Sequence, residues 1–271
     1  MKLRTVLLDL GGVFYEGTRL LPGAQHALAR LRASGLALRF VTNTTRQSRA
    51  ALLLELARLG LDVATDELLT PASAARTVLL ERGLRPLLLI HPGLTPDFDG
   101  LDLHQPNAVV VGDAGDHFSY AGLNQAFRLL MAGAPLLALG RNRYFKEADG
   151  LSLDAGPFVA ALEYAAGVSA ELLGKPAPAL FAAALRPLGC SPDEAVMIGD
   201  DVEADVNGAL AAGLGGILVR TGKYRPADDM RLAAGGRLAD DIGAAVETLC
   251  LDQGKRLRLD APPPPGGTFS G

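Results

Sequence analysis

The sequence predicts an α/β fold built on a Rossmann-like parallel sheet, and three observations carry that expectation. Short apolar runs at residues 6–8, 36–41 and 195–198 have the length and content of strands buried on both faces. Between them lie segments whose apolar residues recur at helical spacing, so strand and helix alternate, as where crossover helices join parallel strands. Each run also ends on residues with chemistry to offer, Asp9, Thr42-Asn43 and Asp200-Asp201. In open α/β sheets the strand C-termini line the ligand crevice.

The first strand closes on Asp9-Leu10-Gly11-Gly12. Its glycines let the backbone turn sharply and bring N–H groups close to an anion. Residues 13–17 alternate over a span that suits a small hairpin above the strand end. Pro22-Gly23 opens a helix with Ala24, Leu28 and Leu31 on one face, and Gly35 stops it. After the strand at 36–41 a helix runs to about Leu59, with Leu52, Leu56 and Leu59 on one side and Gly60 as its stop. A short strand at 66–70 precedes a helix begun by Pro71 and reaching about Arg82. The middle third repeats the alternation with its own punctuation. It has strands at 87–90, 108–111 and 135–139, a helix face of Leu123, Phe127 and Leu130, and a helix from 154–157 through Tyr164. It reads as an α/β unit of its own. Glu171-Leu172-Leu173 then leads to Gly174-Lys175-Pro176, and Pro178 begins a helix with Phe181, Leu185 and Leu188 on its face. The strand at 195–198 ends in Gly199-Asp200-Asp201. A helix then carries Asp205, Val206, Ala209 and Leu210 to Gly213. Residues 216–219 are a further strand and 239–251 the last helix. Residues 252–271, with prolines at 262–265, lack periodicity and are expected to be a disordered tail.

Composition narrows the function. The 271 residues are 49% hydrophobic and 21% charged, an ordinary globular balance. A net charge of -4 gives no electrostatic case for nucleic acid or an anionic membrane surface. No apolar run approaches the ~20 residues of a membrane helix. Met1-Lys2-Leu3-Arg4 passes straight into the first strand without a signal-peptide pattern, and with only Cys190 and Cys250 a reduced, cytoplasmic protein is expected. His26, His91, His104 and His117 lack the spacing of metal ligands.

The polar groups at the strand ends suit phosphoryl transfer. A carboxylate such as Asp9 attacks phosphorus, and a hydroxyl and backbone amides near Thr42-Asn43 hold the phosphoryl oxygens. Lys175, following a fourth strand, offsets the crowded negative charge. Acids at Asp200-Asp201 bind Mg²⁺, a hard cation that prefers oxygen.

Taken in order, Asp9, Thr42-Asn43, Gly174-Lys175-Pro176 and Gly199-Asp200-Asp201 with Asp205 resemble the four motifs of the haloacid dehalogenase (HAD) superfamily. The long insert between the second and third resembles the C2-type cap of the subclass that includes the p-nitrophenyl phosphatases. Arg39-Phe40-Val41-Thr42-Asn43, Arg85-Pro86-Leu87-Leu88-Leu89-Ile90-His91, Gly156-Pro157-Phe158 and Thr221-Gly222-Lys223-Tyr224-Arg225 add to the likeness. The resemblance implies a core of residues 1–82 and 170–251 and an α/β cap at 83–169. It implies Asp9 as nucleophile and Mg²⁺ ligand, Gly11 as a ligand through its carbonyl, and Asp200 as a further ligand. Leu10, Gly11, Thr42, Asn43 and Lys175 would contact the phosphoryl group, Asn43 through its backbone amide. Asp201 and Asp205 would orient waters and Lys175, although Asp205 also reads as a helix-start acid near the positive dipole end. The implied partner is a small phosphorylated substrate or a phosphoprotein. The apolar faces of the insert are candidates for pairing two chains. Arg141, Arg143 and Lys146 read either as contacts for an anionic substrate or as a solvated basic loop.

One position departs from the pattern. Many phosphatases of this kind carry a second Asp two residues after the nucleophile, where this chain has Gly11. Its absence removes a general acid of the kind worth roughly 10²–10⁴-fold. In one reading the substrate has a leaving group that needs little help: pyrophosphate, or the P–N phosphoramidates phospholysine and phosphohistidine. In a second, the chain binds Mg²⁺ and a phosphorylated ligand as a sensor with slow turnover, against which the retained Asp9, Lys175 and Asp200 weigh. A third is transfer to an acceptor other than water. The water step still needs a base; Glu16 is the nearest acid in sequence, but its position reads rather as solvated loop.

Overall fold

The computed structural model describes residues 3–146 and 150–259. The first segment forms β1 (Thr5–Leu8), a hairpin of β2 (Tyr15–Glu16) and β3 (Arg19–Leu20), α1 (Ala24–Ala33), β4 (Ala37–Val41), α2 (Arg49–Arg58), β5 (Leu68–Leu69) and α3 (Pro71–Glu81). The middle forms β6 (Pro86–Leu89), β7 (Ala108–Val111), α4 (Tyr120–Met131), β8 (Leu136–Ala138), a second hairpin of β9 (Tyr144–Lys146) and β10 (Leu151–Leu153), α5 (Ala155–Ala166) and β11 (Glu171–Leu172). The rest comprises α6 (Pro178–Leu185), β12 (Ala195–Gly199), α7 (Gly208–Ala211), β13 (Gly215–Val219), β14 (Arg237–Ala239) and α8 (Ile242–Leu259).

Six strands build the main sheet in the order β14-β13-β12-β1-β4-β5, every pair parallel. β1 lies inside it, with Val6 opposite Val196 on one side and Leu38 on the other. Its alternation sends Val6 and Leu8 into a core shared with α1 and α8, and Leu7 into one shared with α3 and α6. Burying such a leucine contributes about 1.5–3 kcal/mol, so each face holds its own layer of helices. A second, four-stranded sheet, β11-β8-β7-β6, is also parallel and packs α4 and α5 around Val109, Val111 and Ala138. The α/β class expected from the alternation is what the chain adopts. No helix of the described residues is long and apolar enough to cross a membrane.

Several local expectations give way to competing interactions. Only Leu68–Leu69 of the strand expected at 66–70 pairs with β4, and Thr65–Glu67 closes a short 3₁₀ turn instead. Ala239, read as the start of the last helix, instead ends a strand, Arg237–Ala239, that pairs with β13, and the helix starts after Asp241, whose carboxylate accepts the Ala244 N–H at 2.8 Å as an N-cap. That helix runs on to Leu259 through eight residues assigned to the tail. Leu, Lys, Arg and Gln there extend a helix at little cost, and no proline intervenes before Pro262. The remainder of the expected tail, 260–271, lies outside the described residues. β11 was assigned by sequence to the returning core segment, yet it hydrogen-bonds to β8 of the second sheet, Glu171 opposite Leu137. Tyr144–Lys146, read only as a basic and aromatic stretch, is a strand paired with β10.

Candidate active site

Asp9 stands one residue past β1. Its N–H donates to the Ile198 carbonyl at 2.9 Å, so the ladder with β12 reaches beyond the strand and fixes Asp9 at the sheet edge. Asp200 arrives from the end of β12 beside it. Two glycines make room for Asp200: a Cβ on Gly12 would lie 1.9 Å from Asp200 Oδ2, and one on Gly222 2.1 Å from the same atom. Both have φ in the left-handed region, +80° and +62°, so side chains there are excluded by strain as well as by space. Gly199 does the same for Asp205, with a Cβ position 2.2 Å from its Oδ2.

Lys175 completes the centre, though not from a strand of the main sheet. It lies three residues beyond β11 of the second sheet, so the expectation that four strand ends of a single sheet converge is corrected for this residue. Its position is set by Asn43 instead. Asn43 Oδ1 accepts the Lys175 N–H at 2.8 Å and Nδ2 donates to the Lys175 carbonyl at 2.9 Å. This side-chain clamp is a role that sequence reasoning missed, having assigned Asn43 only a backbone amide. Lys175 Nζ then lies 2.5 Å from Asp9 Oδ1, 2.6 Å from Asp205 Oδ1 and 2.9 Å from the Val41 carbonyl. Burial alone pushes the ammonium down, but Asp205 and Asp9 together outweigh it and hold it above its ordinary value.

Asp9, Asp200 and Asp205 bring carboxylate oxygens within 4.8 Å of one another, all buried. Asp200 Oδ2 accepts the Lys223 N–H at 2.7 Å, while Asp200 Oδ1 is buried without a hydrogen-bond donor. Asp205 Oδ1 is likewise outside hydrogen-bonding geometry but is paired by charge to Lys175. An orphaned buried carboxylate oxygen among three acids, whose ligand atoms are hard oxygens, fits a divalent cation such as Mg²⁺. Asp205, expected merely to orient its neighbours, therefore stands inside the acidic trio. Asp201 stands outside it: its Oδ1 accepts the N–H groups of Glu203 and Ala204 and caps a π-helical turn, Val202–Asn207. Burial pushes Asp201 up, and those N–H groups with Lys223 more than offset it, leaving it below the usual carboxylate range.

The other expected residues are spread around this centre. Thr42 Oγ1 accepts the Thr44 N–H at 3.1 Å, and Thr42 lines the cavity. Gly11 lies on the rim, with open space where a Cβ would stand. The Leu10 side chain is fully buried in the core, so only its backbone can reach a ligand. Glu16, on the hairpin, accepts the Gly222 N–H at 3.1 Å. The cavity measures about 770 Å³ and is closed on its far side by residues without a sequence signal: Arg46, Asp113, Asn142, Phe145 and Asp154. Arg46 Nε donates to Asp113 Oδ2 at 2.5 Å, and its guanidinium lies 4.4 Å from the Phe145 ring centroid. Arg141 and Arg143 line a separate shallow pocket, Arg141 bonded to Glu163 at 2.6 Å, and the side chain of Lys146 lies outside the described residues.

Burial, then the charges of Asp9 and Asp205, push Asp200 up to about 8; burial and Asp9 push Asp205 up to about 6 despite Lys175. Both carboxyls hold protons more tightly than in an unfolded chain. The metal-free fold is therefore expected to lose stability as pH rises from about 4 toward 8. A cation must displace those protons, so Mg²⁺ affinity should fall up to about tenfold per pH unit below about 8. Calorimetric titration in buffers of different ionisation enthalpy checks this. Proton release that is absent at pH 6.5, or affinity flat from pH 6 to 8, would contradict it.

Comparison with known proteins agrees with this geometry. The family model described as haloacid dehalogenase-like hydrolase matches residues 6–104, and one described as HAD-hydrolase-like matches 172–245. The chain is 51% identical over 230 residues to haloacid dehalogenase-like hydrolase domain-containing protein 2 of Bos taurus, covering 85% of this chain and 89% of that one. It is 46% identical over 255 residues to phospholysine phosphohistidine inorganic pyrophosphate phosphatase of Homo sapiens, covering 91% and 94%. Among solved structures, 4-nitrophenylphosphatase from Thermotoga maritima superposes with a TM-score of 0.82 at 27% identity, covering 91% of this chain and 97% of that one. A glycerol phosphate phosphatase from Mycobacterium tuberculosis, solved in complex with magnesium, superposes with a TM-score of 0.78 at 28% identity, covering 89% and 76%.

Proposed function

This chain belongs to the haloacid dehalogenase-like hydrolases, and from that premise we propose a Mg²⁺-dependent phosphatase working through an aspartyl-phosphate on Asp9. Its substrates are pyrophosphate or P–N phosphoramidates of the phospholysine and phosphohistidine kind. The observation that carries the reading is the asymmetry of Asp9. Oδ1 is held by Lys175 at 2.5 Å, while Oδ2, at the cavity wall, accepts no hydrogen bond among the described residues.

In the first step Oδ2 attacks phosphorus, an O–P bond forms, and the bond to the leaving group breaks with its electron pair departing on that group. Thr42 and the backbone near Leu10 and Asn43 hold the phosphoryl oxygens in line. Lys175 holds Asp9 in place through Oδ1 and compensates charge on the phosphoryl group. Asp9, Asp200, Asp205 and the Gly11 carbonyl would hold a divalent cation, which would supply further positive charge there. In the second step water attacks phosphorus, the O–P bond to Asp9 breaks and its electron pair restores the carboxylate, and hydrogen phosphate leaves with one proton of that water while the other passes to solvent.

Gly11 decides the substrate class, because no acid stands there to protonate a leaving alkoxide. Phosphate departs from pyrophosphate without such help, and a P–N nitrogen takes its proton before the bond breaks. The naming of one relative for these same substrates supports the choice. In a Mg²⁺ assay with Asp9→Asn as blank, kcat/KM on pyrophosphate or phospholysine should exceed that on glycerol phosphate by about 10²–10⁴-fold. Equal rates on the two classes would overturn the reading. Gly11→Asp should raise alkyl phosphatase activity at least tenfold, since the Cβ meets nothing within 4 Å and the backbone is unstrained for a side chain. No gain in a folded, Mg²⁺-binding variant would count against the account of the missing acid.

A further inference from the structure

We propose that the groove bounded by β4, α3 and α6 is a second ligand site, which takes the phosphate or carboxylate group of a small molecule on Arg39. The groove has a volume of about 720 Å³ and shares no lining residue with the catalytic cavity. Arg39 is the one charged residue of β4, opposite Leu7 in the register of the sheet, and it is 8% exposed. An interior strand position of this kind ordinarily holds a valine or isoleucine. A charged side chain so enclosed costs free energy unless it is partnered. Yet Arg39 pairs with its neighbours through its backbone alone, and among the described residues its guanidinium donates no hydrogen bond. Glu67 feels its charge but is already bonded by Arg32 through both carboxylate oxygens.

Two more guanidinium-bearing residues line the same groove without a carboxylate bonded to their side chains. Arg76 Nη1 donates only to the backbone carbonyls of Asp97 and Asp99, at 3.3 and 2.8 Å. Arg49 engages Asp97 through its backbone N–H, at 3.0 Å to each oxygen; among the described residues its guanidinium bonds to no side chain, although the Asp97 carboxylate feels its charge. Elsewhere along the groove the charges are matched: Arg82 is bonded to Glu171, and Arg186 lies 3.4 Å from Glu81. Asp66 is an exposed acid on the rim. The Asp97 carboxylate feels the charges of both Arg49 and Arg76, and with Arg39 these residues present forked donors of the kind that grip phosphate or carboxylate oxygens in pairs. Leu68, Leu69 and Leu180 form an apolar wall for the remainder of the molecule.

The test is thermal unfolding of the metal-free full chain in EDTA, in chloride, phosphate or acetate at matched ionic strength. Saturating phosphate should raise the Tm by about 5 °C over chloride. An equal rise with acetate identifies a carboxylate as sufficient; a rise with phosphate alone identifies phosphate as the group bound. Arg39→Met should abolish the increment and, having removed an unmatched buried charge, should unfold no lower than the wild type in chloride. Arg76→Gln, at a half-buried position, should at least halve the increment and serves should Arg39→Met not fold. Equal Tm values in all three salts, or an undiminished phosphate increment in either variant, would overturn the proposal. Neither result bears on phosphatase activity, since no cation or substrate is present.

Discussion

Asp9→Asn is expected to lower kcat on pyrophosphate by about 10⁴-fold or more while leaving the fold intact. The amide oxygen can still accept the Lys175 ammonium, which lies 2.5 Å from Asp9 Oδ1, so the centre keeps its arrangement. What disappears is the charged oxygen that attacks phosphorus. A second effect follows from the same substitution. Asp9 is one of the charges that pushes Asp200 up to about 8, after burial itself, so removing it lets Asp200 ionise at lower pH. With less proton uptake on folding, the metal-free variant should lose less stability between pH 5 and 8 than the wild type does. Turnover within tenfold of wild type would remove Asp9 from the chemistry. Reductive trapping should also find the acyl-phosphate of the wild type at residue 9 and nowhere else.

Which of these residues could be read from the sequence follows from how local their placement is. Asp9 and Asp200 end buried parallel strands, and a strand end fixes a side chain at the sheet edge regardless of what lies far away in the chain. Thr42, one residue past β4, is legible for the same reason. Lys175 is different. Nothing around it distinguishes a surface lysine before proline, and its strand belongs to the other sheet; only the order of motifs pointed to it. The Asn43 clamp that positions it spans 132 residues and leaves no local trace. The Arg46–Asp113 pair spans 67 residues and joins the loop after β4 to the loop after β7, so neither residue alone signals the cavity wall. Arg39 was visible as part of a familiar stretch, but its burial emerges only when β5, α3 and α6 close over the strand. Secondary structure failed where ends compete. Asp241 outbids Ala239 as a helix start because its carboxylate caps Ala244. Residues 252–259 extend a helix that packing begins upstream.

Lys175→Met should be the most destabilising single change at this site. Lys175 is 4% exposed and its ammonium lies within 2.6 Å of carboxylate oxygens of both Asp9 and Asp205, so methionine keeps the stem and removes the cation paired to two of the three buried acids. Breaking a buried pair from one side costs about 3–5 kcal/mol, equivalent to a Tm lowered by about 10 °C. The sign of the pH dependence is fixed by Asp205. Lys175 draws its carboxyl downward against burial and Asp9, so without the lysine it rises further above about 6. Folded carboxyls with raised values bind protons that the unfolded chain releases, hence stability is retained at acid pH and lost as pH climbs. The deficit relative to wild type should therefore be small at pH 5 and largest near pH 8, where saturating Mg²⁺ should narrow it by neutralising the same acids. Urea unfolding at both pH values, with and without Mg²⁺, measures this directly. A deficit identical at pH 5 and pH 8 would mean that Lys175 supports the fold by packing alone. An activity loss under tenfold would mean that its charge is not used on the phosphoryl group, where loss of such a stabilising donor ordinarily costs about 10²–10³-fold.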